Sequence, residues 1–230
     1  MRDLKLDNIT DLASASLASL PDARQRLLMQ RLVLHLHAYA KQVNLSHAEW
    51  RVALAFLHRA ADISSDARSE FSLLSDVLGL SSLVDLLASK PDATNGLYWQ
   101  IDPAQPRHNL RCQLKVDAHG RWEVATIRAR PYEIPTDGPV WHDVVAPAGR
   151  TAWRAAHVHL IISAPGHRTL VTEIFDGEDP YLDTDAVFGV REALIGRYCT
   201  ETDAAAAARL GLAGDQCLVM HTDLVLSPLT

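Results

Sequence analysis

Two histidines, His157 and His159, form the most informative chemical pattern in the sequence. They flank a single valine within an alternating apolar run that predicts a β-strand. Alternate side chains of a strand point to the same face, so the two imidazoles leave one face about 7 Å apart. Such a pair can meet at one metal ion. The alternative is that one histidine is buried and hydrogen-bonded while the other is incidental.

Two of the five tyrosines stand in segments that suit a functional site. Tyr132 lies in a loop rich in proline, aspartate and glycine directly after a predicted strand, and Tyr98 lies beside a turn signal. Taken alone, each tyrosine is also explained as a core or rim aromatic residue with a satisfied hydroxyl. Phenolate and imidazole ligands together suit ferric iron better than zinc or copper. Two phenolates and one hydroxide would also balance the charge of a buried ferric ion.

The elements that must position these residues fall into two parts. Helical periodicity covers 22–43, and a capping box of Ser46 and Glu49 starts the next helix. A third helix, capped by Ser65 or Asp66, is predicted to end at Gly79, and a short fourth helix follows it.

After Pro91, apolar and polar residues alternate in several segments, as is typical of β-strands. These segments predict one hairpin over 111–127, a second over 157–175 and a last strand over 217–226. The fold class is therefore α+β, with a helical part over 1–90 and an antiparallel β-sandwich catalytic domain over 91–230.

Composition narrows the possible functions. The net charge is −6 and no lysine- or arginine-rich run exists, so a nucleic-acid partner is not expected. No apolar run reaches the ~20 residues of a membrane span. Three widely spaced cysteines indicate neither a disulfide framework nor a zinc site, as expected for a cytoplasmic protein.

Several segments together resemble the intradiol ring-cleavage dioxygenases. The iron-ligand strand of that family is similar to 153–167, and its two tyrosine motifs are similar to 95–111 and 130–139. The segment 179–190 also follows the family pattern. The helical segment 70–80 is most similar to the hydroxyquinol 1,2-dioxygenase branch.

The resemblance implies one iron(III) per subunit, held by Tyr98, Tyr132, His157 and His159. The ring of a catechol-type diol would be opened with O2, and Tyr132 would be released on substrate binding and accept a proton. Arg154 would stabilise developing carbanionic charge on the substrate, a task that suits a permanently cationic side chain. The alternative for Arg154 is an ordinary surface arginine.

The substrate wall implied by the same resemblance consists of Leu73, Asp76 and Val187. Leu73 and Asp76 share one helical face. Asp76 could hydrogen-bond the additional hydroxyl of hydroxyquinol, or could equally be a solvated helix residue. Hydroxyquinol is favoured as substrate, with catechol or chlorocatechol as alternatives.

The resemblance also implies a homodimer joined through the N-terminal helices, where some family members bind lipid. The apolar stripe from Leu27 to Tyr39 fits such an interface, and it fits a helix packed on its own core equally well.

Two features depart from the family. A segment that should form part of the active-site wall and several strands is missing before Asn95. Glu173 stands where catechol-cleaving relatives commonly have a glutamine near the metal, and it either adds a negative charge near the site or marks another branch of the family. Lost strands would expose the hydrogen-bonding groups of their neighbours. A competing hypothesis is therefore an inactive relative that serves as a metal-binding or interaction protein. An unrelated cupin-like metal protein would explain neither the tyrosine loops nor the helical part.

Overall fold

The structure, a computed structural model, describes residues 5–66, 68–87 and 110–229. It divides into two compact units, one up to Leu57 and the other from His58 onward. The first unit contains α1 (Ile9–Ser16) and α2 (Ala23–Gln42), and α3 (His47–Ile63) crosses the division. The predicted boundary between 90 and 91 stays a prediction because it falls among residues outside the described part. Among the described helices, none has the length and apolar character needed to cross a membrane.

Local capping interactions set the ends of α2 and α3. The Asp22 carboxylate accepts a hydrogen bond from the Gln25 amide at the start of α2, and Asn44 adopts a left-handed conformation just beyond its end. At the start of α3, the Glu49 amide donates to Ser46 Oγ (3.2 Å) and the Ser46 amide donates to Glu49 Oε2 (2.8 Å). The predicted capping box is therefore confirmed.

Two short helices, α4 (Glu70–Val77) and α5 (Leu80–Leu87), follow α3 and belong to the second unit. Ser69 caps α4 by accepting from the Ser72 amide, so the prediction of Ser65 or Asp66 as the cap was wrong. Ser65 instead forms a small bridge with Arg68, which turns the chain before the helix can begin. Gly79, with φ of 73°, separates α4 from α5 as predicted.

Three small sheets make up the described portion of the β part. The strands are β1 (Tyr132–Glu133), β2 (Trp153–Arg154), β3 (His157–Ile162), β4 (Leu170–Asp176), β5 (Ile195–Gly196), β6 (Tyr198–Thr202) and β7 (Gln216–Met220), with a further helix α6 (Ala204–Arg209) before β7. The pairs β1–β2, β3–β4 and β6–β7 are antiparallel, and β5 runs parallel to β4. The predicted 157–175 hairpin is confirmed.

The predicted hairpin over 111–127 is only partly present. Its turn forms, with the Asp117 amide donating to the Arg121 carbonyl at 3.0 Å, but neither arm is part of a described sheet. Most apolar side chains of the arms are exposed, with Ile127 at 61%, whereas Trp122 is half-buried. An isolated two-stranded ribbon with an uncovered apolar face is marginal. The last strand is also shorter than predicted and ends at Met220 rather than Leu226.

The core lies behind β4. Ile174 and Phe175 pack with Ala155 and Leu194, and the five consecutive residues from Thr172 to Asp176 are all buried. A strand covered on both faces is held rigidly, because its alternate side chains point to opposite faces and all of them pack against protein. The core therefore fixes β3, which pairs with β4 along its whole length.

Candidate active site

The two histidines of β3 converge as the alternation of the strand predicts. His157 Nε2 lies 3.1 Å from His159 Nε2. The His157 Nδ1 donates to the carbonyl oxygen of Ala155 at 2.6 Å, which assigns the proton to Nδ1 and turns the Nε2 lone pair toward His159. The His157 side chain is buried, whereas that of His159 is 36% exposed.

Both imidazoles are neutral at neutral pH. Burial lowers the pKa of His157 well below its usual value, and the Arg154 cation and the neighbouring His159 imidazole lower it further, because two protonated groups so close together would repel each other. Burial likewise lowers the pKa of His159 to about 4, with Arg154 and Arg111 adding to the shift. A neutral imidazole with a free Nε2 lone pair is the form that binds a metal ion.

Tyr132 is brought to the histidines by β1 and β2. The register of these strands pairs Tyr132 with Arg154, and Arg154 Nη1 donates to Tyr132 Oη at 3.3 Å. The Tyr132 ring lies 5.4 Å from the His157 ring between centroids. Burial raises the pKa of Tyr132, although Arg154 opposes this rise. The phenol therefore needs a further cation besides Arg154, such as a metal ion, to lose its proton at neutral pH.

Arg154 is a buried cation surrounded by acceptors, not a surface arginine. Its Nη2 contacts Glu173 Oε1 and Oε2 at 3.2 and 3.0 Å, and its Nε contacts Asp185 Oδ1 at 3.3 Å. Burial alone would lower the pKa of Arg154, but Tyr132, Glu173 and Asp185 raise it. The guanidinium is therefore permanently charged and held in one orientation beside Tyr132 and His157.

Glu173 is a buried residue beside the histidines whose role the sequence left open. It lies directly opposite His159 in the β3–β4 register, with a side chain only 2% exposed. Its Oε2 lies 3.0 Å from His157 Nε2 and 3.8 Å from His159 Nε2. Burial raises its pKa, although Arg154 lowers it.

These side chains fit a metal ion. The donor atoms of His157, His159 and Glu173 all lie within 4.8 Å of one another. Two nitrogens 3.1 Å apart match two ligands bound at ~2.1 Å and roughly a right angle to each other. Tyr98, the remaining predicted ligand, lies outside the described residues.

The predicted substrate residues lie on two elements that Arg150 joins. Leu73 and Val187 are buried, at 1% and 6% exposure, and Asp76 accepts a hydrogen bond from Ser81 Oγ at 2.5 Å. Arg150 donates to the Val77 carbonyl at the end of α4 and to the Ala186 carbonyl (2.7 Å) beside Val187.

Sequence reasoning did not identify Arg150 as a functional residue. Its guanidinium also lies 4.4 Å from the centroid of the Phe188 ring, on the same loop as Val187. Its position shortly before the histidine strand was the one sequence feature that could have pointed to it. Its carbonyl partners are 73 and 36 residues away in sequence, so no local pattern indicates these contacts.

A second cluster of potential ligands lies on the β6–β7 ribbon. His221 Nε2 is 2.7 Å from Glu201 Oε1, and Cys199 Sγ is 3.6 Å from the same oxygen. The His221 and Glu201 side chains are 72% and 45% exposed. An exposed ion pair explains this cluster without a metal.

Comparison with known proteins decides the family. A family model described as Dioxygenase matches residues 80–228, and one described as Catechol dioxygenase N terminus matches residues 22–96. The chain belongs to the intradiol dioxygenase family. Intradiol dioxygenases are oxidoreductases, and this chain has the helical part and antiparallel sheets expected of them.

Named relatives agree with this assignment. A 6-chlorohydroxyquinol 1,2-dioxygenase of Cupriavidus pinatubonensis is 35% identical and aligns with 88% of this chain and 95% of its own length. A hydroxyquinol 1,2-dioxygenase of Rhodococcus opacus is 34% identical over 81% of this chain and 82% of its own. The solved hydroxyquinol 1,2-dioxygenase of Pseudomonas putida superposes with a TM-score of 0.83 at 31% identity, covering 97% of this chain and 99% of that one.

This intradiol dioxygenase has a shortened scaffold. An intradiol ring-cleavage dioxygenase of Aspergillus niger is 30% identical over an alignment of 290 residues that includes 99% of this chain. Because this chain has 230 residues, the relative contains residues that have no counterpart here. The predicted position of the gap, before Asn95, stays a prediction.

Proposed function

We propose that this protein is an iron(III)-dependent intradiol dioxygenase that cleaves hydroxyquinol to 3-hydroxy-cis,cis-muconate, the tautomer of maleylacetate. Tyr98, Tyr132, His157 and His159 are the proposed ligands of one iron per subunit. The observation that supports this most strongly is the convergence of Tyr132, two neutral histidines and a buried arginine. Ferric iron would supply the withdrawal of electron density that makes a bound diol reactive toward O2.

Four side chains have distinct tasks in this proposal. His157 and His159 remain neutral donors throughout, because burial disfavours their protonation. Tyr132 Oη accepts a proton from the incoming diol, and the resulting phenol remains hydrogen-bonded to Arg154 Nη1. Arg154 then presents a fixed positive charge where negative charge develops on the substrate.

Hydroxyquinol is the proposed diol for two reasons. The relatives at 34% and 31% identity are named as hydroxyquinol 1,2-dioxygenases. Asp76, whose Oδ1 is held by Ser81, supplies a carboxylate on the helix face that also carries Leu73. A carboxylate acceptor would favour a ring with a third hydroxyl over catechol or chlorocatechol, because the unmatched acceptor would lose a hydrogen bond with either of these.

A homodimer through the N-terminal helices completes the proposal, with function in the cytoplasm. On α2 the apolar residues are exposed in the single chain, including Leu32 at 49%, Leu36 at 55% and Tyr39 at 57%. A contiguous apolar surface of this kind is typical of an interface between subunits or with a lipid.

The shortened scaffold supports one competing function. A relative that has lost part of its wall could keep the metal ligands yet not retain a diol, and so act only as a metal-binding protein. The exposure of the His159 side chain would be consistent with such an open site.

The visible absorbance spectrum separates the two functions. We expect the iron-loaded protein to show a broad tyrosinate-to-iron(III) band that shifts when hydroxyquinol is added without oxygen, and to consume O2 with that diol. A band that does not respond to any diol would support the metal-binding protein. A colourless protein after iron loading in air would contradict both.

A further inference from the structure

Glu173 is placed as a metal ligand would be. Its Oε2 is 3.0 Å from His157 Nε2 and 3.8 Å from His159 Nε2, and the two nitrogens are 3.1 Å apart. The three donor atoms therefore form a small triangle, as do three ligands on one face of an octahedral ion. Two histidines and one carboxylate on one face are a common ligand set for non-haem iron(II).

The electrostatics of the triangle also require a shared cation. His157 donates through Nδ1 to Ala155, so its Nε2 presents a lone pair to the Glu173 carboxylate. Two acceptors at 3.0 Å repel each other unless a proton or a metal ion lies between them. Arg154 neutralises part of this charge from one side, through Nη1 to His157 and Nη2 to Glu173.

Pairing with Arg154 does not by itself explain Glu173. Arg154 already has a buried carboxylate partner, Asp185, whose side chain is likewise 2% exposed. A second buried carboxylate adds a desolvation cost, which the electrostatic attraction of Arg191 offsets only in part. A metal ion in the triangle would supply the missing positive charge.

We propose that Glu173 is an additional ligand of the metal, through Oε2, while its contact with Arg154 is retained. The inference rests on the proposed function only for the identity of the metal as iron. A hard anionic oxygen ligand would make the bound ferric ion a weaker Lewis acid than the same site with a glutamine there.

A comparison of two carboxylate variants tests the proposal. Glu173→Gln and Asp185→Asn each remove one buried negative charge beside Arg154, but only the first removes a donor of the triangle. Binding of Co2+ alone is measured for both by its visible spectrum, in a background with Cys199→Ser and His221→Ala, which removes two of the three donors of the exposed second cluster. We expect Co2+ to bind Glu173→Gln at least about tenfold more weakly than Asp185→Asn, the scale on which supporting metal interactions are felt. Any smaller difference would overturn the proposal.

A second measurement leaves the site unchanged, so it tests the proposal even if the Glu173→Gln variant does not fold. The infrared difference spectrum between Zn2+-loaded and metal-free protein, again with Cys199→Ser and His221→Ala, should show a carboxylate stretching band that moves on loading. Its absence would also overturn the proposal. Failure of the proposed function is distinguishable, because it appears as a lack of O2 uptake with hydroxyquinol and leaves both metal-binding results unaffected.

Discussion

The backbone of Gly138 lies against the carboxylate of Glu70 so closely that a Cβ there would overlap Glu70 Oε1. Glu70 is completely buried at the start of α4, and Gly138 follows the Tyr132 loop. Arg68 strengthens this junction by contacting Glu70 at 3.2 Å and Asp137 at 2.8 Å. The helix that carries Leu73 and Asp76 is thereby joined to the segment that carries Tyr132.

Gly138→Ala should therefore destabilise the protein, by about 1–3 kcal/mol, because the buried Glu70 carboxylate and the Arg68 guanidinium must shift to make room for the added methyl group. Urea unfolding measures the change. The cause is checked in a Glu70→Ala background, where the same substitution should cost much less. Equal costs in both backgrounds would show that the overlap is not the cause.

Arg150→Ala should loosen the proposed substrate wall. The variant loses charge-assisted hydrogen bonds to the carbonyls of Val77 and Ala186 and the contact with the Phe188 ring. We expect a loss of about 1–3 kcal/mol in the free energy of unfolding and a raised KM for hydroxyquinol.

The matched control for Arg150 is Arg59→Ala. Arg59 pairs with Asp143 on the surface, where both side chains are about half exposed, and such pairs contribute little. The interpretation of Arg150 would fail if both variants had the same thermal midpoint and KM.

His159→Ala should abolish the tyrosinate-to-iron(III) band, because it removes one of the two converging nitrogens. His167→Ala is the control: His167 lies in the turn between β3 and β4, is exposed, and contacts the carbonyl of Pro165. Iron content and the visible spectrum are measured for both. Retention of the band in His159→Ala would exclude His159 as a ligand.

A double substitution on α2, Leu32→Glu with Leu36→Glu, should convert the proposed dimer to monomers. Burying two carboxylates in an apolar interface is costly. Sedimentation velocity measures the state of assembly, and His35→Glu, an exposed polar position on the same helix, controls for added charge. A wild-type protein that sediments as a monomer would contradict the dimer itself.

Local rules were sufficient for part of this protein. Strand alternation places His157 and His159 on one face, and the turn at 164–167 specifies the β3–β4 hairpin. The Ser46 capping box needs only a four-residue pattern. Each of these depends on neighbours in sequence, so the sequence alone predicts it.

The environment of the site was decided by tertiary structure. The β3–β4 register brings Glu173 opposite His159, and the loop after β4 brings Asp185 to Arg154, 31 residues away in sequence. In the 111–127 segment, by contrast, the alternation of apolar and polar residues was not sufficient. Its arms are largely exposed, and a strand pair with no covered apolar face is not stable as a sheet. Burial lowers the pKa values of the two histidines and so keeps them neutral. In the same buried region, Arg154 contacts two carboxylates. A pattern of residue types does not by itself specify which side chains are buried.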